Sequence, residues 1–288
     1  MRIVVTGAGG QLGHDVVASA AAAGDDVIAA DHATLDVTDR DAVLALLTTY
    51  RPDAVVNCAA WTAVDACEGD PMRAFAANAL SVRWLVEGCD RAGAHLVHLS
   101  TDYVFDGLLD RPYREWDGTA PQSVYGASKL AGEREAAALG ASAAVVRTSW
   151  VCGEHGSNMV ATVLRLAPDR AGQPGSLAFV ADQRGHPTFT ADLAPVLRRL
   201  ALERRSGMHH VTNQGAVSWY EFVGEVLAAA GYDPAIVRPI TTAELDPPRP
   251  APRPANSVLD NAVLRAAGIP LLRDFRAPLA ELVARLRP

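Results

Sequence analysis

Positive charge is nowhere concentrated in this chain. Its 288 residues carry 26 Lys and Arg against 33 Asp and Glu, a formal net charge of −7. With no basic cluster to offset that balance, the electrostatic footprint of a nucleic-acid binder is missing and no such partner is expected. Cysteine is scarce as well. Cys58, Cys67, Cys89 and Cys152 form no C-x-x-C pair and no His/Cys cluster, which argues against a structural zinc site. Cys58 and Cys89 lie in apolar surroundings and read as buried thiols. No apolar run approaches the ~18 residues that span a bilayer. The first strand begins at Arg2, leaving no room for a secretory leader. A soluble cytoplasmic protein without a membrane partner is expected. Internal repeats and a disordered tail are absent too.

What is present is ordinary globular material, 49% hydrophobic and 20% charged. The length suits one elaborate domain or two closely packed lobes. Residues 2–6 form a short apolar run, followed by Gly7-Ala8-Gly9-Gly10-Gln11-Leu12-Gly13 and an Ala-rich helical stretch to about Ala23. In this G-x-x-G-x-x-G spacing, Gly7 permits the tight turn. Gly10 lets the backbone approach a pyrophosphate, and Gly13 lets the helix pack on the strand. The helix start then offers free N–H groups to the phosphates. Asp31 follows a second strand (27–30) about twenty residues on, where an acid would hold an adenosine ribose and favour NAD; a turn aspartate is the competing reading. After a short third segment, Asp36 and Val37 could reach the adenine edge, and Thr38 with Asp41 reads as a helix N-cap.

Later strands are expected at 54–57, 95–100 and 143–147. Ligands of open parallel sheets sit beyond the C-terminal strand ends, so Ala59 and Ala60, then Ser100, Thr101, Asp102 and Tyr103, are placed there. Asn78 is polar in an apolar helical stripe and either ties backbone together beneath the site or faces solvent. In Tyr125-Gly126-Ala127-Ser128-Lys129 the Tyr and Lys share one helix face. An ammonium beside a phenol favours phenolate, which would bring a group of pKa ~10 toward neutrality as a proton donor and acceptor. Beyond residue 150 the strand–helix alternation weakens. The proline-rich stretch 247–254 can only be an extended loop, either a linker or a pocket wall. The fold expected is α/β: a Rossmann-type doubly wound parallel sheet from residues 1–150, with later segments returning to it, and a smaller C-terminal substrate-binding lobe from 151–288.

Together, Thr6-Gly7-x-x-Gly10-x-x-Gly13, Asn57-Cys58-Ala59-Ala60-Trp61-Thr62-Ala63-Val64-Asp65, Ser100-Thr101-Asp102-Tyr103-Val104-Phe105, Tyr125-x-x-x-Lys129, Arg147-Thr148-Ser149-Trp150-Val151, Asp182-Gln183-x-Gly185-x-Pro187-Thr188 and Arg253-Pro254-Ala255-Asn256-Ser257 resemble the extended short-chain dehydrogenases/reductases. More closely they resemble the dTDP-4-dehydrorhamnose reductases of RmlD type, over nearly the whole chain. The resemblance implies reduction of the C4 ketone of a dTDP-4-keto-6-deoxy sugar by NADPH or NADH. Tyr125 would give the proton, Lys129 would hold the nicotinamide ribose and lower the Tyr125 pKa, and Thr101 would hydrogen-bond the carbonyl oxygen. Gly7, Gly10, Gln11, Leu12, Gly13, Asp31, Asp36, Val37, Ala59, Ala60, Thr62, Ser100, Tyr125 and Lys129 would contact the cofactor. Thr101, Asp102, Tyr103, Trp150, Asp182, Gln183, Arg253 and Asn256 would contact the dTDP-sugar, with Arg253 on the diphosphate or else a solvated loop charge.

Some members of that family link dimers through acidic residues and a metal. Asp15 stands near one such position without a full cluster, so no metal is expected. The resemblance allows a homodimer, and the sequence leaves the oligomeric state open. Other readings stay open too: a reductase of a different 4-keto-6-deoxyhexose, an epimerase or 4,6-dehydratase, and a non-catalytic subunit like the regulatory partner of methionine adenosyltransferase. The dehydratases place Asp-Glu after the threonine to expel a hydroxyl, whereas Asp102 is followed here by Tyr103.

Overall fold

The structure, a computed structural model, describes residues 1–287. Five strands rich in Val, Ile and Ala come first: β1 Arg2–Thr6, β2 Asp26–Ala30, β3 Ala54–Asn57, β4 His95–Thr101 and β5 Ala143–Thr148. Later come the two-residue β6 Val151–Cys152, then β7 Leu177–Val180, β8 Arg184–Gly185, β9 Thr188–Phe189, β10 Gly207–His210, β11 Val217–Ser218 and β12 Val237–Ile240. The main sheet is wholly parallel in the order β10-β5-β4-β3-β1-β2. The chain moves from β1 to one neighbour, β2, then crosses to the other, β3. The crevice where ligands bind in such sheets therefore opens between β1 and β3.

Side-chain alternation along the strands assigns each face. Ile3, Val5, Val56, Val97 and Val146 meet α1 (Gln11–Ala22) and a later helix, through Val16, Ala20, Leu193 and Leu197. Val4, Val55, Leu96 and Val145 meet the opposite layer through Val43, Leu47, Val82 and Leu85. That layer contains α2 (Arg40–Tyr50), then α3 Val64–Gly69 and α4 Pro71–Phe75, a π-helical turn at Ala76–Leu80, α5 Ser81–Ala92 and α6 Val124–Ala137. Burial on both faces is why these strands read as continuous apolar runs.

A second core gathers α7 Met159–Leu166, α9 Trp219–Ala229 and α11 Arg276–Leu286 with β7 and β12 around Val160, Phe222, Val226, Phe275 and Leu282. Between them in sequence, α8 Thr190–Leu202 and α10 Ala262–Ala266 return to the main sheet, as does strand β10. No helix among the described residues is long and apolar enough to cross a membrane.

The segment after β2 is a run of turns: Asp31 Oδ1 accepts from the amides of Ala33 (3.1 Å) and Thr34 (3.0 Å) and from the Thr34 hydroxyl (2.9 Å), and Asp36 accepts from Thr38. Short polar side chains that bond their own backbone hold the chain in turns. The N-cap of α2 is Asp39, which accepts from Asp41 and Ala42, and not Thr38.

Candidate active site

The β1–β3 crevice is a cavity of about 810 Å³ lined by Gly7, Gly9 and Gly10, by the turn from Asp31 to Thr38, by Cys58–Trp61, and by Arg73, Ala76 and Ala77. It suits a dinucleotide. Gly10 brings no side chain to cap α1, and the first α1 amide with an acceptor is that of His14, donating to the Gly10 carbonyl (3.1 Å). The amides before it are left for an anion. A Cβ at Gly13 would stand 2.1 Å from the Gly7 carbonyl oxygen, so only glycine lets α1 begin this close to the turn. Of the residues expected at a cofactor, Gly7, Gly10, Asp31, Asp36, Val37, Ala59 and Ala60 line this cavity.

Others are placed differently. The Gln11 amide is turned away from the loop it follows: it donates to the Val151 carbonyl (2.9 Å) and accepts from the Gly153 amide (3.1 Å) and Asn158 Nδ2 (2.7 Å). Leu12 packs on the core, so both can serve a phosphate only through their backbone amides. Thr62 is exposed and outside the cavity lining. The Ser100 hydroxyl is engaged within the protein, donating to Glu133 Oε1 (2.5 Å).

At the C-terminal end of β4, Thr101 and the following Asp102 and Tyr103 converge with Tyr125 and Lys129 of α6. Ser123 caps that helix by accepting from the Gly126 amide (3.1 Å), and Glu68 accepts from the Val124 amide (2.8 Å). Two glycines let α6 sit close: a Cβ at Gly126 would lie 2.2 Å from the Tyr103 carbonyl oxygen, and one at Gly132 would lie 2.2 Å from that of Asn78. Asn78, fully buried in the π-turn, is a clamp. Its Oδ1 accepts from the Trp61 amide (2.8 Å), and its Nδ2 donates to the Trp61 carbonyl (3.1 Å) and to Ser128 Oγ (2.9 Å). One side chain thus joins the cavity wall to the helix of Tyr125 and Lys129.

Electrostatically the site departs from the simple phenol–ammonium pair. Burial drives the Tyr125 phenol upward, opposed by the neighbouring Thr101 hydroxyl and reinforced by the charge of Asp102. Burial decides the phenol's state, and the Lys129 ammonium donates to the Leu99 carbonyl (2.5 Å). Burial lowers Lys129 to about 8, with Glu133 acting against it. Tyr125 is therefore a neutral phenol, the form a proton donor requires. Tyr103 stands edge-on to it (5.6 Å, 77°). Burial also lifts Asp102 to about 6, opposed by the nearby Ser257 and Thr101 hydroxyls. Its Oδ1 accepts the Thr101 hydroxyl hydrogen (2.8 Å), while Oδ2 is buried without a partner. The single hydrogen of Thr101 is thus engaged by Asp102, a coupling that sequence reading missed.

The remaining residues expected on the substrate side all have partners within the protein. Trp150, at φ 47°, stacks on Trp219 (3.6 Å, 9°) and is covered by Gly185, where a Cβ would lie 2.6 Å from its ring. Asp182 accepts from the Thr242 amide and hydroxyl (2.8 Å each), and Gln183 donates to the same hydroxyl (2.9 Å), so both hold a turn. Asn256 donates to the Leu109 (2.8 Å) and Arg111 (2.9 Å) carbonyls and is a loop clamp. Arg253 is mostly buried and paired, not a solvated loop charge. Asp65 takes both of its Nη atoms (2.5 and 2.7 Å) and is held low by them, leaving the buried Nε without a partner. This pair docks the proline-rich stretch, with Asp65 also accepting from the Ala251 amide (3.1 Å). Asp65 and Ser257 carried no expected role. Their only signal in the sequence is position, Asp65 at the end of the 57–65 motif and Ser257 at the end of the 253–257 motif.

The family model of the RmlD substrate binding domain matches residues 1–287. A probable dTDP-4,6-dihydroxy-2-methyloxan-3-one 4-ketoreductase of Streptomyces antibioticus is 45% identical, over 98% of this chain and 94% of its own. A dTDP-4-dehydrorhamnose reductase of Streptomyces griseus is 44% identical, over 97% and 92%. The crystal structure of the dTDP-4-dehydrorhamnose reductase of Bacillus anthracis in complex with NADP superposes with a TM-score of 0.91 at 34% identity, over 99% of this chain and 98% of that one. By a model match from end to end and relatives this similar over nearly their full lengths, the chain belongs to the RmlD substrate-binding-domain family.

Proposed function

We propose that this protein is an NAD(P)H-dependent reductase of the C4 ketone of a dTDP-4-keto-6-deoxy-L-hexose, giving dTDP-L-rhamnose. The observation that carries the reading is the meeting of a buried neutral Tyr125, Lys129 and Thr101 at the C-terminal end of β4, beside a glycine-lined dinucleotide cavity. When bound, the nicotinamide supplies a hydride to carbon. Tyr125 gives its phenolic proton to the carbonyl oxygen as negative charge gathers there. Thr101 is the second donor, and its hydrogen becomes available when Asp102 carries its own proton and donates back. Lys129, fixed by the Leu99 carbonyl, presents an ammonium to the nicotinamide ribose. Residues 1–150 with β10 serve the cofactor, and the later segments around the second core mainly serve the nucleotide sugar.

Oxidation of NADPH and of NADH in the presence of dTDP-4-dehydrorhamnose, with the sugar product identified, tests this reading. Turnover to dTDP-L-rhamnose is expected. Likeness to the S. antibioticus ketoreductase favours a second substrate, and turnover only with another 4-keto-6-deoxy sugar would establish it. Cofactor binding with no turnover on any of these sugars would overturn the proposal.

A further inference from the structure

One turn beyond Lys129 on α6 stands a carboxylate that the reaction does not touch. Glu133 is 4% exposed. Its Oε1 accepts from Ser100 of β4 (2.5 Å) and from Arg147 Nε of β5 (2.8 Å), and its Oε2 accepts from Arg147 Nη2 (2.7 Å). Arg147, equally buried, lies 5.0 Å from the centre of the Phe105 ring. Three elements that place Lys129, Thr101 and the 101–105 turn are thereby bolted together at one carboxylate.

Interior ion pairs of this kind are weak stabilisers, and well-packed apolar groups often replace them without loss. The structure nonetheless keeps a buried anion here. The groups facing Lys129 from the elements packed on it explain what it does. Cys58 from the end of β3 is a thiol pushed up to about 12, His98 from β4 is driven well below its usual range by burial, and Tyr125 on α6 is a phenol. All three are neutral. Arg147 meets Glu133 and not Lys129.

We infer that Glu133 is a positioning residue for reduction: anchored by Ser100 and Arg147, it fixes the α6 turn carrying Lys129 and holds that lysine in its ammonium form at the cofactor. The direction found for Lys129 agrees, because burial lowers it and Glu133 is the first charge opposing the fall. The inference rests on the proposed contact between Lys129 and the nicotinamide ribose.

NADPH affinity, measured by fluorescence titration from pH 6.5 to 10, reads the lysine directly. Wild-type affinity should fall as pH rises through about 8, where the ammonium is lost. In Glu133→Gln the midpoint should drop by about one pH unit, the scale of one lost opposite charge. Glu133→Asp should restore most of it. Should Glu133→Gln alone fail to fold, the double variant Glu133→Gln/Arg147→Met also removes the Arg147 charge that the single variant would strand, and it should show the same downward shift. An unchanged midpoint, with only the melting temperature lowered, would overturn the inference and make the network a structural tie. Lys129→Met separates the two levels of the argument. It should weaken NADPH binding and abolish the pH dependence, and unchanged binding there would fell the site assignment itself.

Discussion

Asp102→Asn gives the most informative perturbation of stability. The Asp102 carboxyl is 2% exposed, and its pKa rises from 3.8 to about 6 because burial opposes its charge. Two pKa units at about 1.4 kcal/mol each make the ionised form cost the fold about 3 kcal/mol. Below about pH 4 the group is protonated in both folded and unfolded chains and costs nothing. As pH rises from about 4 to about 6 the unfolded chain releases the proton while the folded chain keeps it, so stability falls. Above that range the loss is complete. An amide at this position keeps an acceptor for Thr101 and carries no charge. The variant should therefore be more stable than wild type by about 3 kcal/mol at pH 8 and by about half as much at pH 5. Urea denaturation at both pH values measures the gap. Turnover should fall, since the amide oxygen that holds the Thr101 hydrogen has no proton of its own to donate back. A stability difference that does not change with pH would refute the reasoning, because a packing or hydrogen-bond effect has no such dependence.

Two further substitutions probe the walls of the site. Asn78→Ala strips the Trp61 amide and carbonyl and Ser128 of their partner and should cost about 3 kcal/mol, read by urea midpoint, while raising the KM for NADPH as the cavity wall loosens. An unchanged KM would separate the clamp from the cavity. Asp31→Ala removes an anion from the cavity lining together with the acceptor for Ala33 and Thr34, and should move the KM ratio toward NADPH. An unaltered ratio would leave Asp31 a turn residue only.

The main sheet was legible because its strands are buried on both faces and so appear as plain apolar runs, and because the glycines at 7, 10 and 13 obey a steric rule visible in one dimension. Tyr125 and Lys129 were legible by helical period. Illegible were the places where side chains choose partners far along the chain. Ser100 sits at the correct strand end yet turns to Glu133, thirty-three residues on. Arg253 finds Asp65 across 188 positions. Trp150 looked like a free aromatic wall until Trp219 covered one face. The phenolate expectation failed for a related reason: charge proximity is readable from spacing, but the burial that outweighs it comes from Trp61, Cys67 and Ala74, which pack around Tyr125 from other segments. Asn78 is the converse, a polar residue in an apolar stripe whose oddity pointed to its clamp.

The claim at the centre of this account is that Tyr125 is the proton donor of a ketone reductase. Tyr125→Phe removes one oxygen from a packed ring and leaves Lys129, the glycine loop and the cavity in place. Turnover of dTDP-4-dehydrorhamnose with saturating NADPH, set beside the NADPH dissociation constant of the same variant, is the direct test. The account predicts a dissociation constant close to wild type and a turnover number lower by ~10² or more. Wild-type turnover would contradict it and give the proton to another group.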